Sequence, residues 1–295
     1  VSNALTIEAG SILKFVPGGY LEVSNTGTLK AVGTDEEPII FTSIKDDAHG
    51  GDTGVDGVTA PSKGDWGCSG ACGDMDLAGN SSQLDYVQFL YGMNGLWVQG
   101  ASIKVTNSTF AHHSGYGAVL DGRFNVGSTT LTGNAFFDND GFPLSLGEFV
   151  SLDASNLFHD PANAAVKNVK QCIELKSSSL DTAVSLGVTE LAFYGSFAID
   201  SALTVANGVC FKTDMDGEID LNVAGSIVNG ANAIFTSPKD DSVGGDCTGD
   251  GSTSPADADW AGIWVTTSAT SDWALPTANI RYSDQLNNPG VLPLH

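Results

Sequence analysis

The sequence predicts an all-β fold, a parallel β-helix or solenoid carrying two long acidic loops. Three observations predict it. Glycine supplies 36 of the 295 residues, Ser, Thr and Asn are plentiful, and Glu, Lys and Arg are scarce, so turn formers crowd out helix formers. Short apolar runs recur about every 20–25 residues between Gly or Asn turns, the spacing of stacked coils. An acidic stretch is written twice, each time after a strand-like "IFTS".

The first coils are read from "LTIEAGSILKF", "GYLEVSNTGTLKAVG" and "PIIFTS", where β-branched residues alternate with small polar ones. Further coils follow in "LDYVQFLYGMNGLWVQG", "SIKVTNSTFAHHSGYGAVLDG" and "TTLTGNAFFDNDGFPLSLG". Phe89, Phe110 and Phe136 lie 21 and 26 residues apart, so stacked coils would bring them to equivalent places one rung apart. A β-sandwich would show cleaner hairpin signals and less coil-length periodicity. Residues 153–186 are less regular. There Val166, Val169 and Ile173 have helical spacing behind Pro161, while Lys167, Lys170 and Lys176 would face solvent from a distorted coil, which is the reading taken here.

Residues 40–66 match residues 234–260 without a gap, at 16 of 27 positions. Upstream, "ALTIEAG" at residue 4 returns as "ALTVANG" at residue 202. The offsets of 194 and 198 imply a four-residue deletion in the second copy, between Gly27/Gly225 and Ile40/Ile234. Residues 1–198 are therefore expected to form a first repeat unit, with 199–295 a partial second unit continuing the same solenoid. A chain cut in mid-repeat points to a longer parent, and the lack of a signal peptide to a mature chain or an excised piece.

Twelve Lys and Arg stand against 35 Asp and Glu, a net charge of −23. Nucleic acid is excluded as a partner, because phosphate needs clustered cations. Anionic membrane surfaces are disfavoured for the same reason. No apolar run approaches the ~18 residues of a membrane span, so no direct membrane insertion is expected. Cations are the natural partners of such a chain.

The acids concentrate in the repeated loops: Asp46, Asp47, Asp52, Asp56 and Asp65 in the first, Asp240, Asp241, Asp246, Asp250 and Asp259 in the second. Gly50, Gly51 and Gly57, with Gly244, Gly245 and Gly251, permit sharp turns that bring carbonyls inward. Carboxylates and carbonyls around a tight turn are what Ca²⁺ requires, so two Ca²⁺ sites are expected on those ten aspartates. Without a cation, each close pair of like charges costs about 1–4 kcal/mol at ~4 Å. "DTGVDG" and "DCTGDG" have the opening of an EF-hand loop, but its twelfth position falls on Lys63 and Asp257, where a bidentate Glu belongs. These are not EF-hands.

Cys68 and Cys72 are close enough for a local disulfide across a glycine turn. Cys172 would pair with Cys210 if neighbouring coils met there, leaving Cys247 over. A CxxxC without histidine is a weak zinc signal. Disulfides would imply an extracytoplasmic compartment.

"ALTIEAGSILKF", "GTLKAVGT…PIIFTS" and the coils "NSTF" and "GNAFFDN" resemble secreted right-handed β-helix repeat proteins of bacteria, on the pectate-lyase-like superfold. The resemblance covers most of the chain and implies a right-handed solenoid at the cell surface or outside the cell. Many such proteins have no defined activity, and distant relatives on the fold are polysaccharide lyases and hydrolases, so the fold does not choose. The residues themselves assemble no reaction centre. Arginine occurs only at Arg123 and Arg281, away from any acidic cluster. Asp138 and Asp140, with Asp121 a coil away, are candidate paired carboxylates that read more simply as a turn. His112 and His113 read as a surface turn, and Tyr91, Trp97 and Tyr116 as residues that would stack on sugars if exposed.

The expected function is an extracellular, calcium-stabilised structural or adhesive rod. Its partners would be neighbouring repeats or like subunits end to end. No capping helix guards the first coil, and an open coil end asks for such a cover. The alternative is a carbohydrate-active enzyme or binding module with a polysaccharide partner.

Overall fold

The computed structural model describes residues 1–68, 73–122, 128–176, 179–222, 224–228, 233–265 and 279–284. Among them there is no α-helix, and nearly all strand pairing is parallel. Two compact units are present. One comprises Val1–Ser145 with Ser155–Val169, the other Leu146–Ala154 with the residues from Lys170 onward.

In the first unit successive strands join three different sheets in rotation. Ala4–Ile7, Thr28–Val32, Ser82–Asp85, Ile103–Thr106 and Thr130–Thr132 form one sheet; Ile12–Phe15, Ile39–Ser43, Val87–Leu90, Thr109–Ala111 and Ala135–Phe137 form the second. Leu21–Val23, Met75–Leu77, Leu96–Gln99 and Ala118–Asp121 follow one another in a third. This rotation is the strand order of a parallel β-helix. Alternate residues point inward, so equivalent side chains stack from rung to rung. Phe41, Phe89, Phe110, Phe136 and Phe158 form such a column, with ring centroids 4.9, 5.2, 4.9 and 5.7 Å apart. All five are essentially buried.

The corners are also columns. Tyr86, Asn107 and Gly133 share a positive φ at one corner, and Tyr91, His112 and Asp138 at the next. Non-glycine residues rarely adopt that conformation. Here three successive coils adopt it at the same place in each column. Buried asparagines satisfy the backbone where the chain bends: Asn134 binds Asn156 and the Val105 carbonyl, and Asn139 binds Asn168 and the Phe110 carbonyl. Residues 159–167 are neither helix nor coil. His159–Asp160 and Asn163–Lys167 pair antiparallel as a hairpin whose turn holds Pro161.

The second unit repeats the scheme. Cys172–Leu175, Ala192–Tyr194, Cys210–Lys212 and Ile234–Thr236 are neighbours in one sheet. Ser179–Leu180, Phe197–Ile199, Glu218–Leu221 and Gly262–Val265 form a second, and Val184–Leu186, Ala202–Val205 and Ser226–Val228 a third. Phe193, Phe211 and Phe235 form its aromatic column.

The Cys172–Cys210 pairing that the sequence left open does not occur. Cys172 is bonded to Cys247, and Cys210 is free and buried. The reason is the rung spacing: Cys172 pairs in register with Ala192, and Phe193 with Phe211, so Cys172 and Cys210 stand two rungs apart. Two rungs are roughly 9–10 Å, beyond disulfide reach. Cys68 is disulfide-bonded, and its expected partner Cys72 lies outside the described residues.

Candidate functional site

Loop 1 (residues 44–66) leaves Ile39–Ser43, and loop 2 (residues 238–260) leaves Ile234–Thr236. Both fold on the same hydrogen bonds. Asp46 accepts the Thr42 hydroxyl at 2.7 Å, and Asp240 the Thr236 hydroxyl at 2.8 Å. Both acids are buried. Asp47 Oδ2 accepts the backbone N–H and hydroxyl of Thr59; Asp241 Oδ2 accepts the same pair from Thr253. Asp65 takes Ser43 Oγ, the Ser62 N–H and Lys45 Nζ, while Asp259 takes Ser237 Oγ, the Ala256 N–H and Lys239 Nζ.

Burial pushes the Asp65 and Asp259 carboxyls up, but these hydrogen bonds and the lysine beside each hold both below the usual carboxylate range. Each loop closes on a buried tryptophan, whose indole N–H donates to the Leu90 carbonyl in one copy and to Arg281 in the other. The backbone repeats as faithfully. Residues 50, 51, 55, 57 and 64 have positive φ, and so do 244, 245, 249, 251 and 258. This holds although Val55 answers Gly249 and Gly64 answers Ala258.

The ten aspartates therefore divide into two groups in each loop. Asp46, Asp47 and Asp65, with Asp240, Asp241 and Asp259, staple the base to its strand. Asp52 and Asp56, with Asp246 and Asp250, lie at the tip. There Asp52 accepts the N–H groups of Asp56 and Gly57, and Asp246 those of Thr248, Gly249 and Gly251. Asp250 accepts the Thr248 hydroxyl. Among the described residues no three His, Cys, Asp or Glu side chains gather as a metal-ligand group.

One oxygen in each base has no hydrogen-bond partner although water is excluded from it: Asp47 Oδ1 and Asp241 Oδ1. An orphaned carboxylate oxygen is a ligand of the kind that a hard cation such as Ca²⁺ takes.

Residues that the sequence reading named only separately meet beside loop 1. Lys63 Nζ reaches Asp138 at 2.9 Å and Asp140 at 2.8 Å, tying the loop to a coil edge. Asp138 also binds His112 Nδ1 at 2.6 Å, and His112 stacks on Tyr91 at 4.8 Å. Burial raises the Asp138 carboxyl, but its bonds to Lys63 and His112 bring it below the usual range. His113 is not at the surface. It is fully buried with Asp74, Nδ1 to Oδ2 3.4 Å apart and without a hydrogen bond between them. Arg281 is not remote from acid either, since it lies 3.9 Å from Asp240. Arg123 lies outside the described residues. Asp121 stands apart from Asp138 and Asp140, where it lines a groove of about 340 Å³ with Trp97, Gln99, Gly100 and Gly122.

Comparison with protein-family models, with curated proteins and with solved structures finds no match in any of the three. The reading of the site rests on its geometry.

Proposed function

We propose that this chain is a structural and adhesive segment of a right-handed parallel β-helix outside the cell or on a bacterial surface, with calcium stiffening its two acidic loops. The observation that carries the reading is the double construction of one loop. Hydrogen bonds, left-handed residues and an orphaned aspartate oxygen all return at the second copy. Asp47 and Asp241 would hold the ion at the base through the orphaned Oδ1 of each; Asp52, Asp56, Asp246 and Asp250 would add charge at the tips. Bound Ca²⁺ would neutralise acids that otherwise repel.

Handedness follows the general rule that crossovers between parallel strands are right-handed. The Cys172–Cys247 disulfide supports an oxidising, extracytoplasmic location. Stacked rungs with aromatic columns suit a stiff rod that extends by adding coils or like subunits end to end.

Thermal unfolding in EDTA and then in millimolar CaCl₂ tests the ion. A saturable rise in Tm is expected, because a ligand that binds only the folded state stabilises it. Asp47→Asn and Asp241→Asn should each remove part of the rise. An unchanged Tm in the parent protein would contradict calcium binding.

A second reading is a carbohydrate-binding face at the groove beside Gln99 and Asp121, although Trp97 is buried there and offers no open ring face. Burial and the neighbouring Glu22 raise the Asp76 carboxyl on the adjoining strand. With Glu22, Asp76 and Asp121 around it, the groove suits neutral glycans better than polyuronates. Titration with neutral oligosaccharides, compared with Gln99→Ala, would decide this reading.

A further inference from the structure

The two loops have the same base but their tips meet different surroundings. In loop 2 the tip lies across rungs that precede its own. Gly244 O accepts the Ala192 N–H at 2.8 Å, Asp246 O accepts the Gln171 N–H at 2.7 Å, and Cys247 is bonded to Cys172. Lys212 Nζ binds the Gly245 carbonyl. A Cβ at Gly245 would lie 2.5 Å from the Gln171 carbonyl, so the fit is close.

Among the described residues, loop 1 has only the nearest rung beneath it. Lys14, the counterpart of Lys212, binds the Gly51 carbonyl, and Ile12 lies under Gly50 where Cys210 lies under Gly244. Beyond that, Ile12–Phe15 is the last strand of its sheet. Gly51 has nothing within 4 Å of its Cβ direction, and residues 51–58 are all exposed. The carbonyls of Gly50 and Asp52 have no protein partner among the described residues.

The surface around this overhang is apolar. Among the described residues ten large hydrophobic side chains are exposed, and six of them belong to the first coil or to this tip: Val1, Ile12, Val16, Tyr20, Val55 and Val58. Ala4–Ile7 and Leu21–Val23 end their sheets at the same coil. Unpaired strand edges beside exposed apolar side chains are templates for strand addition.

We infer that the tip of loop 1 and the edge strand Ile12–Phe15 form a docking surface for two further parallel β-rungs, supplied by the end of another repeat unit of this kind. The occupant is specified by what fills the same place under loop 2. It presents a free backbone N–H where Gln171 and Ala192 present theirs, and a small outward side chain such as Ala192 beneath the glycines. A two-fold pairing of this edge with its own copy is disfavoured. It would set Asp52 and Asp56 against their mates and turn the added strand antiparallel. The inference rests on the end-to-end reading above and names the surface by which units join.

The test uses the intact chain carrying Cys210→Ser, which removes a free thiol that burial pushes up to about 12 in pKa. Thr53→Cys places a thiol at the counterpart of Cys247, and Gly54→Cys places one a residue out of register. The probe is a synthetic peptide of residues 170–194, whose Cys172 is its one thiol. In a glutathione redox buffer, whose oxidised form takes up the two electrons, docking in the expected register should form the mixed disulfide at least about tenfold faster with Thr53→Cys than with Gly54→Cys, through effective concentration. It should also slow amide exchange in Ile12–Phe15. Equal rates at the two positions, no adduct at either, or a disulfide-linked dimer formed in preference to the adduct would overturn the inference. Calcium-dependent melting needs no docked rung. Failure of docking and failure of the calcium clamp therefore show separately.

Discussion

At the base of each acidic loop a buried aspartate accepts a bond from a strand threonine, Asp46 from Thr42 and Asp240 from Thr236. At the tips the likeness ends, since Cys247 is bonded to a rung three strands back while its counterpart Thr53 is exposed. The difference separates two roles that one acidic sequence performs. The base is a self-contained fold of the loop on its own strand. The tip gains its order from the rungs beneath it, and those are present for one copy alone.

Substitution of the shared anchor should show the first role at its largest. Trp66→Ala and Trp260→Ala should each cost about 3–5 kcal/mol by chemical denaturation, because both rings are buried at the return of their loops. A large inequality would break the equivalence of the two bases. Next in size is the tip. Cys247→Ser removes a link between residues 75 apart in sequence and should cost roughly 2–5 kcal/mol, whereas Thr53→Ser should be silent in the same assay.

A smaller asymmetry should separate Asp246→Ala from Asp52→Ala. The first removes an acceptor shared by three backbone N–H groups and should cost about 1–2 kcal/mol. The second acts at an exposed tip and should cost less. The smallest effect expected is on acid stability. The folded carboxyls of Asp65 and Asp259 titrate below their unfolded value. Their contribution is complete above the unfolded pKa of about 3.9 and is lost as pH falls through the lower folded value. Denaturation from pH 5 to pH 2 should lose less stability in Asp65→Asn and Asp259→Asn than in the parent.

Much of the fold was legible because coil stacking writes its period into the sequence. Phe89, Phe110 and Phe136 align in one column as their spacing predicts. The same period carried two residues onward places His112 against Asp138, 26 residues apart, yet their turn-like surroundings hid the pair. Asp74 and His113 left no comparable signal, since a long loop and a corner bring them together. The cysteine pairing stayed open because the sequence does not say how many rungs separate two strands. The hairpin at Pro161 was hidden by a spacing that helix and irregular coil share. For the loops, repetition marked the ten aspartates. Their division into base staples and tip turns depends on Thr42, Thr59, Ser43 and their counterparts, hydroxyls that look like ordinary strand and loop residues.

Amide hydrogen exchange on the intact protein, with the two loops followed in one experiment, tests the central claim most directly. Both bases, around Asp46–Asp47 and Asp240–Asp241, should be protected alike. Residues 244–247 should be protected beyond residues 50–53, because the former are covered by the rungs they lie on while the latter are exposed. Equal protection of the two tips would contradict the account, as would a loop 1 base that exchanges as fast as its own tip.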